Sequence, residues 1–178
     1  MWMQALAVLG QSVPSCRQSQ PTFSKMSRSG TFLECGRTTT GAGGIFVTQV
    51  LIVDDDAAIR ETLRFILEDS GYTVLEERDG LGALQRLRRS EKPMVVLLDL
   101  MMPGLSGAGV LKEISGDARL EKRFAFVLVT ASNQVFPRSL TGLLATHSIP
   151  IISKPWDMEH LLKTVAAGAK QISSEEAR

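Results

Sequence analysis

The segment Val50-Leu-Ile-Val-Asp-Asp-Asp56 places four consecutive apolar residues directly before three consecutive carboxylates. A short apolar run without alternating polar residues is typical of a strand that is buried on both faces, as in a parallel sheet. Three further runs of this kind follow, at Met94–Leu98, Phe126–Val129 and Ile149–Ile152, and a weaker run at Tyr72–Leu75 is typical of an edge strand. The sequence therefore predicts five strands of one parallel sheet.

Amphipathic segments separate these predicted strands. In the first segment, Ile59, Leu63 and Leu67 recur at the spacing that places side chains on one face of a helix. Asp56 is suited to cap the start of this helix, because its side chain can accept hydrogen bonds from the free backbone N–H groups. Strand and helix alternate five times between residues 47 and 172, which predicts an α/β domain.

The overall composition is that of an ordinary globular protein, with 44% hydrophobic and 22% charged residues and a net charge of +1. No stretch approaches the roughly 20 apolar residues needed to cross a bilayer, so membrane insertion is not expected. The near-neutral charge gives no basic field, so nucleic acid is not an expected partner. Both cysteines, Cys16 and Cys35, precede the predicted domain, which excludes a cysteine-ligated metal site within it.

The first 46 residues have a different character. They are rich in Ser, Thr, Gln and Gly and carry a net charge of +3, whereas residues 47–172 carry −1. We expect either a disordered extension or a mis-annotated, untranslated segment, because Ala42-Gly43-Gly44 can be encoded by a ribosome-binding sequence just before Val47. A signal peptide is disfavoured, since no basic residue precedes the short apolar run Ala5–Leu9. The domain is assigned to residues 47–172, with 173–178 as a tail.

Polar side chains stand where the predicted strands end: Asp54 and Asp55, then Asp99, Thr130 and Lys154. Because an open α/β sheet binds ligands outside the carboxyl ends of its strands, we expect these groups to converge. Crowded carboxylates repel one another, and Mg²⁺ relieves that repulsion because it prefers oxygen ligands, often together with phosphate oxygens. The lysine and the threonine are suited to bind a phosphoryl group. The pattern predicts a site for Mg²⁺ and phosphate.

Four motifs that contain these residues resemble those of the response regulator receiver domain, the CheY-like family of two-component phosphorelay signalling. The motifs are Leu51–Asp56, Leu98–Gly104, Val129–Ala131 and Lys154–Pro155, in the order and at the separations found in the family. The resemblance covers about residues 47–172. It implies a flavodoxin-like fold, a doubly wound five-stranded parallel sheet of order 2-1-3-4-5 with helices on both faces.

The resemblance also implies a role for each acidic position. Asp99 would be the nucleophile that accepts a phosphoryl group from a phosphohistidine of a partner kinase. Asp55 and Asp99 would bind Mg²⁺ directly, together with the backbone carbonyl of Met101, and Asp54 would act through a metal-bound water.

The phosphoryl group itself would be bound by three further positions. The hydroxyl of Thr130 and the backbone N–H of Ala131 would hold phosphoryl oxygens, and Lys154 would pair with the phosphate. The Lys154–Pro155 peptide bond would be cis, a form that is costly except before proline.

One position departs from the family pattern. Many members carry a Tyr or Phe three residues before the lysine, and its rotamer follows the state of the threonine. This sequence has Ile151 there, and an aliphatic side chain cannot make an aromatic switch. Either the signal passes through the backbone near Thr130 and the following helix, or this receiver switches weakly.

The function that follows is that of a single-domain response regulator, because only six residues remain after Ile172. The expected partners are a histidine kinase or phosphotransfer protein and a downstream protein target, which would bind the face that includes Phe136–His147 and Asp157–Gln171. The expected location is the cytoplasm. The chain is not expected to be an enzyme, although it would catalyse its own phosphorylation and a slow dephosphorylation.

Two alternative functions were weighed against this one. A binding-only receiver, or a phosphate sink without conformational output, is compatible with the aliphatic Ile151. A phosphatase with an aspartyl nucleophile is disfavoured, because such enzymes need a second acid where this chain has Met101.

Overall fold

The computed structural model describes residues 37–39, 45–131 and 136–176, and within them seven strands and six helices follow one another. The strands are β1 (Arg37–Thr39), β2 (Ile45–Val47), β3 (Gln49–Val53), β4 (Thr73–Glu77), β5 (Met94–Leu98), β6 (Phe124–Ala131) and β7 (Ile151–Lys154). The helices are α1 (Ala57–Asp69), α2 (Gly80–Arg89), α3 (Gly107–Ser115), α4 (Ala118–Glu121), α5 (Arg138–Thr146) and α6 (Met158–Glu176).

Strands β3 to β7 form one sheet in which all neighbouring strands are parallel. Its order is β4-β3-β5-β6-β7, which is 2-1-3-4-5 when only these five strands are counted along the chain. The predicted doubly wound fold is thereby confirmed. The weakest apolar run does form an edge strand, β4, while β3 and β5 lie in the interior of the sheet.

Alternate residues of the central strands face two separate hydrophobic cores. Val50 and Ile52 of β3 pack in the core that includes the buried side chains of α1 and α6. Leu51 and Val53 of the same strand pack in the opposite core, which is built with α2, α3 and α5. Because both faces of β3 are covered, the strand needs an unbroken apolar sequence, as the sequence shows.

Helix α1 begins where the sequence predicts it. The side chain of Asp56 accepts a hydrogen bond from the backbone N–H of Ala58 at 2.8 Å, so Asp56 is the N-cap. Leu63 and Leu67 lie on the side of the helix that faces the sheet and are fully buried. The chain leaves the helix through Gly71, whose φ of 83° lies in the left-handed region that glycine adopts without strain.

Several elements differ from the predicted ones in extent. The short helix α4 was not predicted, since four residues show no periodicity; Asp117 caps it and Leu120 is buried. Strand β7 begins at Ile151 rather than Ile149, because Ser148, with a φ of 50°, turns the chain after α5. Helix α6 continues into the assigned tail as far as Glu176.

The amino-terminal extension is described only in part. Strands β1 and β2 pair with each other in antiparallel fashion and form a sheet separate from the five-stranded one. Residues 1–36 and 40–44 lie outside the described residues, and so does the segment considered as a signal peptide. Their assignment as a disordered or untranslated extension stays a prediction.

Candidate acidic phosphoryl and metal site

Two buried carboxylates follow neighbouring strands of the sheet. Asp54 comes directly after β3 and Asp99 directly after β5, and they are 2% and 5% exposed. Asp55 is exposed at the same edge. One carboxylate oxygen of each of these three residues lies within 4.8 Å of the others. The structure therefore brings together the three acids that the sequence places at strand ends.

The backbone around Asp99 is held tightly in place. Its N–H donates to the carbonyl of Val53 at 2.9 Å, which continues the pairing of β5 with β3 by one residue. The backbone N–H of Met101 donates to Oδ2 of Asp99 at 3.1 Å. The start of α3 packs so closely that a Cβ on Gly107 would overlap the carbonyl oxygen of Asp99. Only glycine allows this approach.

This contact leads to a test of the packing. Gly107→Ala should lower the free energy of unfolding by about 1–3 kcal/mol, because the new methyl group must displace backbone atoms. Gly142→Ala is the control, since Gly142 lies in the exposed part of α5 with no atom within 4 Å of an added Cβ. That change should instead add about 0.5–1 kcal/mol. Urea denaturation of both variants measures the two effects, and equal effects would contradict the close approach.

Lys154 connects the two buried acids. It ends β7 and is followed by a cis peptide bond to Pro155, as the sequence analysis expected. Its Nζ lies 2.6 Å from Oδ2 of Asp54 and 3.2 Å from Oδ1 of Asp99. In this structure one ammonium is therefore shared by the two acids.

The pKa values at this site show how unevenly its charges are balanced. Burial raises the pKa of Asp99 above its ordinary value, and the ammonium of Lys154 only partly opposes that rise. Burial also acts to lower the pKa of Lys154, but the hydrogen bond to Asp54 and the charge of Asp99 outweigh it and raise the pKa. One cation thus faces two buried carboxylates and a third exposed one. A further cation would be favourable here.

The predicted phosphoryl-binding residues lie at the end of the neighbouring strand, β6. Thr130 is 1% exposed, and its Oγ1 has no hydrogen-bond partner within the described parts of the chain. A buried hydroxyl without a partner is costly, so an acceptor that reaches Thr130 at this edge of the sheet would be bound favourably. Ala131 is exposed at the last position of β6. Residues 132–135, which follow it, lie outside the described residues.

The remaining predicted positions are placed as follows. Met101 directs its side chain to solvent, 65% exposed, and its backbone N–H is bound to Asp99 as described above. A role for its carbonyl oxygen as a metal ligand stays a prediction. Ile151 opens β7, is 39% exposed, and is paired in register with Leu128 of β6.

The donor set fits Mg²⁺. Three carboxylates offer oxygen ligands, two of them buried directly after neighbouring strands, and the exposed Asp55 leaves one side of the cluster open to solvent. Mg²⁺ typically takes one or two carboxylates, keeps several waters and binds phosphate oxygens. Asp54, Asp55 and Asp99 would therefore hold the ion.

One residue near this site was given no role by the sequence analysis. Arg60, in the second turn of α1, donates from Nη1 to the backbone carbonyls of Asp54 and Asp55 at 2.8 and 3.1 Å. The sequence does contain one indication of this contact, because a side chain in the first turns of a helix points back toward the segment before the helix. The same direction of side chains is found in most helices, so it does not identify Arg60 in particular.

Comparison with known proteins places the chain in a family. Residues 50–166 match the family described as the response regulator receiver domain. Response regulator MprA of Mycobacterium tuberculosis strain H37Rv is 34% identical over 129 residues, which are 72% of this chain and 54% of that protein. MprA of Mycobacterium ulcerans strain Agy99 is 35% identical over 130 residues, 72% of this chain and 53% of that protein. This chain thus spans about half the length of these curated relatives.

Solved structures agree with the sequence match. A CheY-like response regulator receiver domain protein from Methanospirillum hungatei is 30% identical with a TM-score of 0.60, covering 74% of this chain and 98% of that one. The receiver domain of the Francisella response regulator 1452 shares the fold at 23% identity and a TM-score of 0.60, covering 70% and 98%.

Within the described residues, no helix is both long and apolar enough to cross a membrane. The sheet order, the clustered acids and the matched residues all agree with the resemblance seen in the sequence. The chain belongs to the response regulator receiver domain family of two-component signalling.

Proposed function

We propose that the chain accepts a phosphoryl group on Asp99 from a phosphohistidine of a histidine kinase or phosphotransfer protein, with Mg²⁺ as cofactor. The observation that carries this proposal is the position of Asp99, whose carboxylate is buried with Oδ1 3.2 Å from the ammonium of Lys154. Two further carboxylates lie beside it. The contact with the Lys154 ammonium and the hydrogen bond from the N–H of Met101 hold the Asp99 carboxylate in one orientation.

The transfer is an in-line displacement at phosphorus. A carboxylate oxygen of Asp99 forms the new O–P bond while the P–N bond of the donor breaks, and the imidazole leaves with the electron pair and takes up a proton. When Mg²⁺ is bound, it neutralises charge on the phosphoryl oxygens. Lys154 supplies a second positive charge, and the Thr130 hydroxyl donates to an oxygen. Positioning and charge neutralisation provide most of the rate in such transfers.

The surface that would pass the signal on is the face formed by α5, β7 and α6. The chain acts in the cytoplasm as the receiver of a response regulator, and it passes its signal to a protein target through this face rather than to nucleic acid. The support is the near-neutral net charge of the chain and the exposure of Ile151 on β7. It is not an enzyme with an outside substrate, since the group that it transfers ends on its own Asp99.

The test is phosphorylation with a small-molecule donor. The full chain is incubated with acetyl phosphate and Mg²⁺, and intact mass is measured against a sample containing EDTA. We expect the added mass of one phosphoryl group only with Mg²⁺, located to Asp99 by peptide mapping and removed by hydroxylamine, which cleaves acyl phosphates. Modification at another residue, or equal modification in EDTA, would contradict the proposal.

A second candidate is a phosphate sink that is phosphorylated without a conformational output. The observation that favours it is Ile151, an aliphatic and partly exposed side chain at the position where the family often has an aromatic switch. The buried hydroxyl of Thr130 favours the switch instead, because a phosphoryl group on Asp99 would offer it an acceptor that no described residue provides.

NMR spectra of the beryllofluoride-bound chain separate these two candidates. For a switch, amide shifts should extend from Ala131 into α5, survive Ile151→Val, and become much smaller in Thr130→Ala, because the hydroxyl that follows the phosphate is lost. Shifts confined to residues next to Asp99 in the unsubstituted chain would identify a phosphate sink.

A further inference from the structure

The acidic loop after β3 is held by a single side chain from the helix that follows it. Arg60 is 17% exposed at its side chain, and one of its nitrogens, Nη1, donates to the carbonyls of both Asp54 and Asp55. Strand pairing does not reach these carbonyls, since the register of β3 with β4 and β5 ends at Val53. The N–H of Asp54 still donates to the carbonyl of Glu77 on β4 at 3.3 Å, whereas Arg60 supplies the hydrogen bonds to the two carbonyls.

The same guanidinium is anchored at its other side. Its Nε lies 3.3 Å from Oε2 of Glu76, which belongs to the edge strand β4. Because the guanidinium is planar and rigid, binding to Glu76 fixes the direction in which Nη1 points. Arg60 thus links the acidic loop to a neighbouring strand of the sheet.

The two acids depend on this link to different degrees. The Asp54 carboxylate is fixed directly, because Oδ1 accepts from the N–H of Asp56 at 2.9 Å and Oδ2 binds Lys154. The Asp55 carboxylate is exposed and makes no hydrogen bond or ion pair among the described residues. Its position follows from its backbone alone, and Arg60 holds that backbone.

We propose that Arg60 is a positioning residue for the Mg²⁺ site, which holds the loop so that Asp55 presents its carboxylate beside Asp54 and Asp99. The inference rests on the proposed function, because Mg²⁺ is the ion that the site is proposed to bind. Groups that orient metal ligands without touching the metal commonly change metal affinity by 10- to 100-fold when they are altered.

The positive charge of Arg60 acts against Mg²⁺ binding, whereas the hydrogen bonds of Arg60 to the loop favour it. A guanidinium near a cation site repels the cation, so removing the charge alone would strengthen Mg²⁺ binding. Arg60→Lys separates the two effects, because lysine keeps the charge but lacks the planar fork that reaches two carbonyls and Glu76 together. Arg60→Gln removes both.

Arg64 provides a matched control. It lies one turn further along α1, and its Nε contacts the other carboxylate oxygen of Glu76 at the same distance, 3.3 Å. It makes no hydrogen bond to the acidic loop within the described residues. Arg64→Lys therefore makes the same chemical change with the same partner but leaves the loop held.

The experiment uses NMR on the full chain and its variants. Mg²⁺ titrations followed at the amide of Ala131 give the dissociation constant, and hydrogen exchange of the Asp56 amide in EDTA reports the loop without metal. We expect Arg60→Lys to weaken Mg²⁺ binding by about tenfold and to accelerate exchange at Asp56. Arg64→Lys should change neither. Thermal melts of all variants measure any loss of overall stability.

Two outcomes would overturn the inference. One is Arg60→Lys behaving like Arg64→Lys in both measurements, and the other is Mg²⁺ binding that is unchanged in Arg60→Lys and tighter in Arg60→Gln, which would leave only a charge effect. Absence of Mg²⁺ binding in the unsubstituted chain would contradict the proposed function. The exchange rates in EDTA would then still decide whether Arg60 holds the loop.

Discussion

Asp99→Asn is expected to abolish phosphoryl uptake while the domain remains folded. Asparagine has nearly the shape of aspartate but lacks the anionic oxygen that attacks phosphorus. The measurement is intact mass after incubation with acetyl phosphate and Mg²⁺, in which the variant should show no added phosphoryl group. Circular dichroism spectra should match those of the unsubstituted chain.

The stability of this variant provides an independent check. Burial raises the pKa of Asp99, so its ionised form is unfavourable in the folded domain when metal is absent. The unfolded chain then binds fewer protons than the folded one, and stability falls as pH rises from the ordinary carboxyl range through the raised value. Asp99→Asn lacks this fall. In EDTA at neutral pH it should therefore melt no lower than the unsubstituted chain, and a clearly lower melting temperature would show that the carboxylate stabilises the fold.

Asp55→Asn is expected to remove most of the stabilisation that Mg²⁺ gives the domain. A ligand that binds only the folded state stabilises it by RT ln(1 + [L]/Kd), which is about 2.7 kcal/mol at 100 times Kd. Each tenfold rise in Kd removes about 1.4 kcal/mol of this gain. Because the side chain of Asp55 is exposed and makes no hydrogen bond or ion pair with the described residues, the variant should melt normally in EDTA. Thermal melts with and without Mg²⁺ measure the difference.

The neighbouring carboxylate gives the control for this experiment. Asp56 is as exposed as Asp55, but its side chain caps α1 and is not part of the three-acid cluster. Asparagine is as good an N-cap as aspartate, so Asp56→Asn should keep both the stability and the Mg²⁺ response. If Asp55→Asn responds to Mg²⁺ as strongly as Asp56→Asn does, Asp55 is not a ligand.

The architecture of this protein could be predicted from local patterns in its sequence. The unbroken run Val50–Val53 requires cover on both faces, and repeated runs of that kind separated by helical periodicity are compatible with few arrangements other than a parallel sheet. The same reasoning predicted which residues stand at the carboxyl ends of the strands. It succeeded because strand, helix and cap signals are local, extending over a few residues, as Asp56 and its bond to the N–H of Ala58 illustrate.

The contacts between the side chains of the site could not be predicted in this way, because they depend on the packing of the folded domain. The contact of Lys154 with Asp54 joins residues 100 positions apart. The burial of the Thr130 hydroxyl without a partner among the described residues is likewise a property of the packed domain. Arg60 contacts both the loop and Glu76 because α1 packs beside β3 and β4, which are joined to it by the chain but positioned by the sheet. Such contacts depend on the relative positions of entire helices and strands in the folded domain. The spacing of apolar residues within one segment does not encode these positions, because they follow from the packing of side chains that are distant in sequence.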